Sequence, residues 1–236
     1  IDGSHNKPSG LWGEFRQKLY DYYGGPAAVE TGWVSNTLFE PSVGNKKLKE
    51  LASEKNLSIW YKTTWKDVKK IGDKWNVTVL KGKKKFVIET KLIIDAPELG
   101  DVMAAVGASY EIGMDSREVT GERFAPEKEN DIIQDLTYVA VLKDYGKNAD
   151  KTIKKPLGYD PEEFNCCCDV ADPAAEDNRP KIDCSQMITY GKLPNNKYMI
   201  NWPKCGNDIY LNVIEQSPEK RKESLQAAKL HTMWFI

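Results

Sequence analysis

Lys91-Leu92-Ile93-Ile94-Asp95-Ala96-Pro97-Glu98-Leu99-Gly100-Asp101 is the stretch around which the rest of the chain can be read. Three consecutive apolar residues, Leu92, Ile93 and Ile94, suit a strand covered on both faces, as in a parallel sheet, and Pro97 and Gly100 end it. Asp101 then stands as an N-cap for Val102, Met103, Ala104, Ala105 and Val106, a short apolar helix closed by Gly107. A buried strand, a tight turn and a helix in that order hold ligands at the carboxyl end of the strand, beside the helix N-terminus. The stretch therefore predicts an α/β layer with a binding turn at its edge.

Upstream, Leu11, Phe15, Leu19, Tyr22 and Tyr23 recur at helical spacing after Ser9, and Gly24-Gly25-Pro26 stops the run. Pro41 suits the first position of a second helix, with Val43, Leu48, Leu51 and Ala52 as its buried stripe to about Glu54. Residues 57–61 read as a short strand. Three β-rich runs follow, 63–71, 75–80 and 86–90, separated by turn signals at Gly72-Asp73 and Lys81-Gly82-Lys83; they predict a three-stranded antiparallel meander.

Downstream of Gly107 the chain is polar and irregular to about residue 130, as expected of a crossing to a second layer. Residues 136–142 read as one strand, 185–190 and 197–202 as two more joined by 191–196, and 209–213 as a further one. A proline-rich connection, 143–183, separates the first of these from the others. Ser217-Pro218-Glu219 opens a final helix with an N-cap, an N1 proline and an acidic first turn.

With what precedes it, the opening stretch resembles the flavin-dependent oxidoreductases of the glutathione-reductase-like superfamily, in particular bacterial FAD-dependent oxidoreductases of mostly unknown substrate. There a strand ending Ile-Asp-Ala-Thr, then Gly-Asp after a short turn, returns the chain to the cofactor after a small meander. Ile94, Asp95, Ala96, Gly100 and Asp101 match that pattern, and Pro97 replaces the Thr. The resemblance continues through Tyr-Glu-Ile-Gly-Met-Asp-Ser-Arg (110–117), Gly-Glu-Arg-Phe-Ala-Pro (121–126) and Asn-Trp-Pro-Lys-Cys-Gly-Asn-Asp (201–208).

It implies a partial FAD-binding, Rossmann-like domain over 1–107 and a β-rich α+β substrate-side layer over 108–236. It also implies cofactor contacts at Trp65, where the family has Val, and at Ala96, Pro97, Gly100 and Asp101. Asn201, Cys205, Asn207 and Asp208 fall where that family faces its substrate, although the residues by themselves favour a hairpin turn with Asn207 and Asp208 capping backbone groups. No Gly-x-Gly-x-x-Gly pyrophosphate turn occurs. The chain is accordingly expected to be an internal piece of a longer flavoenzyme that binds FAD weakly or not at all and self-associates through uncovered edges. Two functions stay open: an FAD-dependent oxidoreductase using hydride chemistry on a small molecule, or a non-catalytic binding or structural domain that retains the sheet without flavin.

Composition narrows the remaining classes. A formal net charge of −1, from 34 basic and 35 acidic residues, gives no footprint for nucleic acid, and the lysine clusters at 81–85 and 151–155 are short. No apolar run approaches the ~20 residues of a membrane span, and no signal segment is visible, leaving the cytoplasm and periplasm both open. Cys166, Cys167, Cys168, Cys184 and Cys205 are odd in number and lack paired Cys-x-x-Cys spacing, so small, partly buried strand side chains are expected there and no metal site. His5 and His231 stand in unrelated contexts, and there is no Gly-x-Ser-x-Gly elbow, so no catalytic triad is predicted.

Overall fold

In the computed structural model, residues 9–53, 55–169 and 183–236 are described. His5, the predicted helix end at Glu54 and residues 170–182 of the proline-rich connection lie outside them. In chain order the elements are α1 (Gly10–Tyr23), α2 (Pro41–Leu51), β1 (Thr63–Ile71), β2 (Lys74–Lys81), β3 (Lys84–Thr90), α3 (Asp101–Ala105), α4 (Arg117–Thr120), β4 (Leu136–Thr137), β5 (Ala140–Lys143), α5 (Cys184–Thr189), β6 (Lys192–Leu193), β7 (Lys197–Ile200), β8 (Asp208–Ile209) and α6 (Pro218–Phe235). Single 3-10 turns occupy Pro26–Ala28 and Pro161–Phe164. Helices and strands are thus mixed, and every sheet pairing among the described residues is antiparallel.

The chain divides into two compact units. One comprises Ile1–Lys55, Asp135–Leu211 and Pro218–Ile236, and the other Asn56–Gln134 with Asn212–Ser217. This interleaving differs from the single boundary at Gly107 read from the sequence.

In the first unit, α1 stops where predicted: Gly24 takes a left-handed conformation (φ 90°) and its N–H bonds Tyr20 O at 2.9 Å. Phe15 and Leu19 meet Val43 of α2 in a core that Tyr23, Phe39 and Leu51 extend, with Phe15 edge-on to Phe39. Burying such side chains stabilises by roughly 1.5–3 kcal/mol each. The predicted strand 136–142 is broken into β4, paired with β8, and β5, paired with β7. At the break Tyr138 O accepts the Thr232 hydroxyl of α6 at 2.7 Å in place of a ladder bond. Residues 185–190, predicted as a strand, are the helix α5: Asp183 Oδ1 accepts Gln186 N–H at 2.7 Å and Gln186 Oε1 accepts Asp183 N–H at 3.3 Å, a reciprocal cap that nucleates the turn.

In the second unit the meander is as predicted, in the order β1-β2-β3 with a register shift between Trp65 and Asp67. The strand predicted at 57–61 does not form; Trp60 instead lies edge-on to Phe86 at 5.1 Å, with the Lys81 ammonium over its ring.

The central expectation, a buried parallel strand at 92–94, is overturned. Those residues belong to no strand, and Leu92 and Ile94 are 72% and 80% exposed. The Thr90 hydroxyl accepts Leu92 N–H at 3.4 Å and donates to Leu92 O at 2.9 Å, closing a bend at the end of β3 with the groups a sheet would need. A Rossmann-like parallel sheet is therefore absent from the described residues.

Candidate functional site

The bend leads into the turn that the sequence singled out. Gly100, left-handed at φ 61°, occupies the N-cap position of α3 that was assigned to Asp101, which instead begins the helix. The capping acceptor is Asp95, whose Oδ2 takes Met103 N–H at 2.7 Å. Its other oxygen, Oδ1, is buried without a hydrogen-bond partner.

Around this turn lies a cavity of about 480 Å³, within the ~300–1,000 Å³ typical of small-molecule sites. Pro97, Gly100 and Asp101 line it, with Met103, Ile112 and Ile214 among its apolar walls. Tyr110 and Glu215 complete it, and Tyr110 donates its phenolic hydrogen to Glu215 Oε1. That bond raises the Tyr110 pKa above its ordinary value, with a lesser contribution from burial. The wall beyond is fixed by a two-way backbone bridge between Met114 and Asn130, at 3.0 and 3.1 Å. Gly113 is required there, because a Cβ would lie 1.8 Å from Asn130 O.

The chemistry of this lining is specific. Asp95, Glu98, Asp101, Glu111 and Glu215 present carboxylates, and no lysine, arginine or histidine lines it among the described residues. Carboxylates accept hydrogen bonds from hydroxyls and repel phosphates. The residues therefore fit the polyol part of FAD and do not fit its pyrophosphate.

Of the five predicted cofactor residues, Pro97, Gly100 and Asp101 line the cavity. Ala96 is exposed and outside it, and Trp65 is half-buried in β1, opposite Val79. The cavity adds Asp95, Tyr110 and Glu215, which the sequence does not mark as contact residues. Glu215 lies 105 residues from Tyr110, and no local signal links the two.

The substrate-side candidates lie in the first unit, where the side chains of Cys205, Asn207 and Asp208 are committed to structure. Asn207 is fully buried: Oδ1 accepts Trp202 N–H at 2.8 Å, and Nδ2 donates to Ile200 O at 3.1 Å and Thr232 Oγ1 at 3.4 Å. Asp208 lies in β8 and accepts the Thr137 hydroxyl. Cys205 is bonded to Cys166, so no thiol stands there, and a second disulfide joins Cys168 to Cys184. The expectation of unbonded strand cysteines is corrected by these two links, whose partners are 39 and 16 residues apart. Asn201 lines a small cavity of about 90 Å³ with Leu142, Ile200 and Phe235. The turn is tight: a Cβ on Gly206 would lie 2.1 Å from Trp202 O, and Gly206 O accepts from His231 Nε2 at 3.0 Å. The block thus has the geometry of a capped turn under α6.

Elsewhere in the same unit, Glu40 is buried and accepts from Asn195 Nδ2 at 2.7 Å, from the Tyr23 hydroxyl at 3.1 Å and from Lys197 Nζ. Burial pushes its carboxyl up, but the bonds from Lys197, Asn195 and Tyr23 outweigh that and hold it below its ordinary value. Tyr23 is pushed up to about 12, first by burial and further by the Glu40 carboxylate. With every group answered, this cluster joins α1, α2 and β7 without offering a free acid or base.

No helix among the described residues is long and apolar enough to cross a membrane. Comparison with curated proteins and with solved structures returned no match. The family model described as FAD dependent oxidoreductase matches residues 1–236, the whole chain. The chain belongs to the FAD dependent oxidoreductase family.

Proposed function

We propose that this chain serves an FAD-dependent oxidoreductase acting on a small molecule, and that the cavity around residues 95–112 receives the hydroxyl-bearing, ribityl or ribose, portion of the cofactor. When bound, FAD supplies the hydride acceptor or donor through its ring system. The observation that carries the reading is the buried, unpartnered Oδ1 of Asp95 in a cavity walled by carboxylates. A buried acceptor without a donor costs about 1–3 kcal/mol, which a ligand hydroxyl would relieve. Asp101 and Glu98 extend the row of acceptors along the same wall. Tyr110 gives its one hydroxyl hydrogen to Glu215 Oε1, which raises its pKa, and its Oη lone pairs add a further acceptor to the same lining. Apolar contact with Met103, Ile112 and Ile214 would exclude water from the hydroxyls thus held.

Fluorescence titration of the purified protein with FAD and with riboflavin, which carries the ribityl chain without phosphate, tests this assignment. If the polyol is what the cavity holds, the two bind within about fivefold of each other, under ~1 kcal/mol apart, and Asp95→Ala weakens both. Binding of FAD with none of riboflavin, or affinities indifferent to Asp95, would assign the cofactor to another surface.

A further inference from the structure

The second disulfide lies in an unusual setting. Cys167 is the free cysteine among the described residues, and its Sγ is 3.8 Å from Cys168 Sγ. On the other side, Cys184 Sγ is 3.1 Å from Asp169 Oδ2. The ligand atoms of Cys168, Asp169 and Cys184 all fall within 4.8 Å of one another. We propose that Cys167, Cys168, Asp169 and Cys184 form a Zn²⁺ site that becomes available when the Cys168–Cys184 disulfide is reduced.

The argument is one of donor type and spacing. Tetrahedral zinc with Zn–S near 2.3 Å requires ligand sulfurs roughly 3.8 Å apart, and Cys167 and Cys168 already stand at that separation. Cys168, Asp169 and Cys184 supply two sulfurs and a carboxylate already within 4.8 Å of one another; Cys167 stands outside that group but beside Cys168, and its thiolate would turn in to close a four-coordinate set, whose sulfur donors select zinc over calcium or magnesium. In the oxidised state the Cys184 sulfur has no hydrogen to give, so the Asp169 carboxylate faces it without a bond; reduction supplies either a thiol donor or a shared metal ion.

Two contacts hold the ligands in place. Trp202 Nε1 donates to Cys167 O at 2.9 Å, a contact that does not depend on the Cys166–Cys205 link, which the same reductant opens. Cys184 opens α5, whose reciprocal Asp183–Gln186 cap fixes the start of the helix.

The chemistry balances with a phosphine reductant. The phosphine gives two electrons and becomes its oxide, water supplying the oxygen and two protons, so that the S–S bond becomes two thiols. Zn²⁺ then displaces three thiol protons from Cys167, Cys168 and Cys184 and is joined by the Asp169 carboxylate.

The test is cobalt(II) titration of the purified protein before and after treatment with a water-soluble phosphine, with zinc as competitor and far-UV circular dichroism as a fold control. The expected result is no uptake by the oxidised protein. The reduced protein should take up one equivalent with the visible bands of tetrahedral cobalt thiolate, which zinc bleaches. Cys167→Ser interrupts neither disulfide and Asp169→Asn alters an exposed side chain; each should weaken binding by no less than the ~10–100-fold that loss of an outer partner costs. Uptake by the unreduced protein, no uptake after reduction, or undiminished affinity in both variants would overturn the proposal. If Cys167→Ser misfolds, Asp169→Asn alone decides.

Discussion

The carboxylate of Asp95 is divided in its duties: Oδ2 holds Met103 N–H at 2.7 Å, eight residues along the chain, while Oδ1 is buried without a donor. The first contact fixes the turn that carries Gly100 and Asp101. The second leaves an acceptor whose cost falls when a ligand brings a hydroxyl, so ligand binding and stability of the turn are linked.

These two duties separate under substitution. Asp95→Ala removes the cap and should lower stability by about 1 kcal/mol, as for other lost helix caps, and it should weaken flavin binding as well. Asp95→Asn keeps an acceptor for Met103 and loses the charge, so it should restore most of the stability but not the flavin affinity. Urea denaturation alongside flavin titration reads the two effects independently, and parallel behaviour of both variants would show that Asp95 acts only as a cap.

Glu40→Gln should destabilise the protein by about 3 kcal/mol at neutral pH, the lower end for breaking a buried ion pair, since Lys197 is partly solvated. The sign of the pH dependence follows from the lowered carboxyl. The unsubstituted protein has this stabilisation in full above roughly pH 4.3, the unfolded value, and loses it as the pH falls through the folded one, so the gap to Glu40→Gln narrows in acid. Tyr23 behaves oppositely: its contribution is complete below pH 10.0 and is lost as the pH rises toward about 12. Thermal melts across pH would show both limbs.

Asn207→Ala should cost about 3 kcal/mol, because it leaves the buried Trp202 N–H and Ile200 O without partners. Turnover per folded molecule, once a substrate is known, should be little changed. A variant of full stability with a reduced kcat would instead assign Asn207 to the reaction.

Replacing Cys166 and Cys205 together by Ser should lower stability by about 3 kcal/mol, the order expected for opening a loop of this size with a second link inside it. Calorimetry under non-reducing conditions measures the loss. Phosphine treatment, which opens the Cys168–Cys184 link as well, should take the unsubstituted protein below the variant.

The sequence disclosed those parts whose causes are local. The α1 and α2 helices announce themselves by apolar spacing with Gly24 and Pro41 at their ends, and the meander by alternating residues between Gly72 and Gly82. It misled where a partner decides. Leu92, Ile93 and Ile94 have the composition of a buried strand, yet the hydroxyl of Thr90 takes up the Leu92 backbone. Residues 136–142 break where Thr232 claims the Tyr138 carbonyl. Residues 185–190, expected as a strand, carry a local helix signal in the Asp183–Gln186 capping box. In the cavity the resemblance supplied Pro97, Gly100 and Asp101, whereas Tyr110 and Glu215 meet only through the fold. The disulfide pairings are likewise long-range facts that odd counting concealed.

The interleaving of the two units has a consequence for biosynthesis. As the chain leaves the ribosome, residues 56–134 emerge as one run, and the meander within them pairs only neighbours in sequence, so its closure involves short loops and can come early. The other unit has its first helices out before that run, but α6 supplies the Thr232 contacts to Tyr138 and Asn207 only at the end. Until α6 arrives, the nascent chain carries one formed body inserted in an open one, and the interval before residue 232 is when a chaperone would find the most apolar surface to hold.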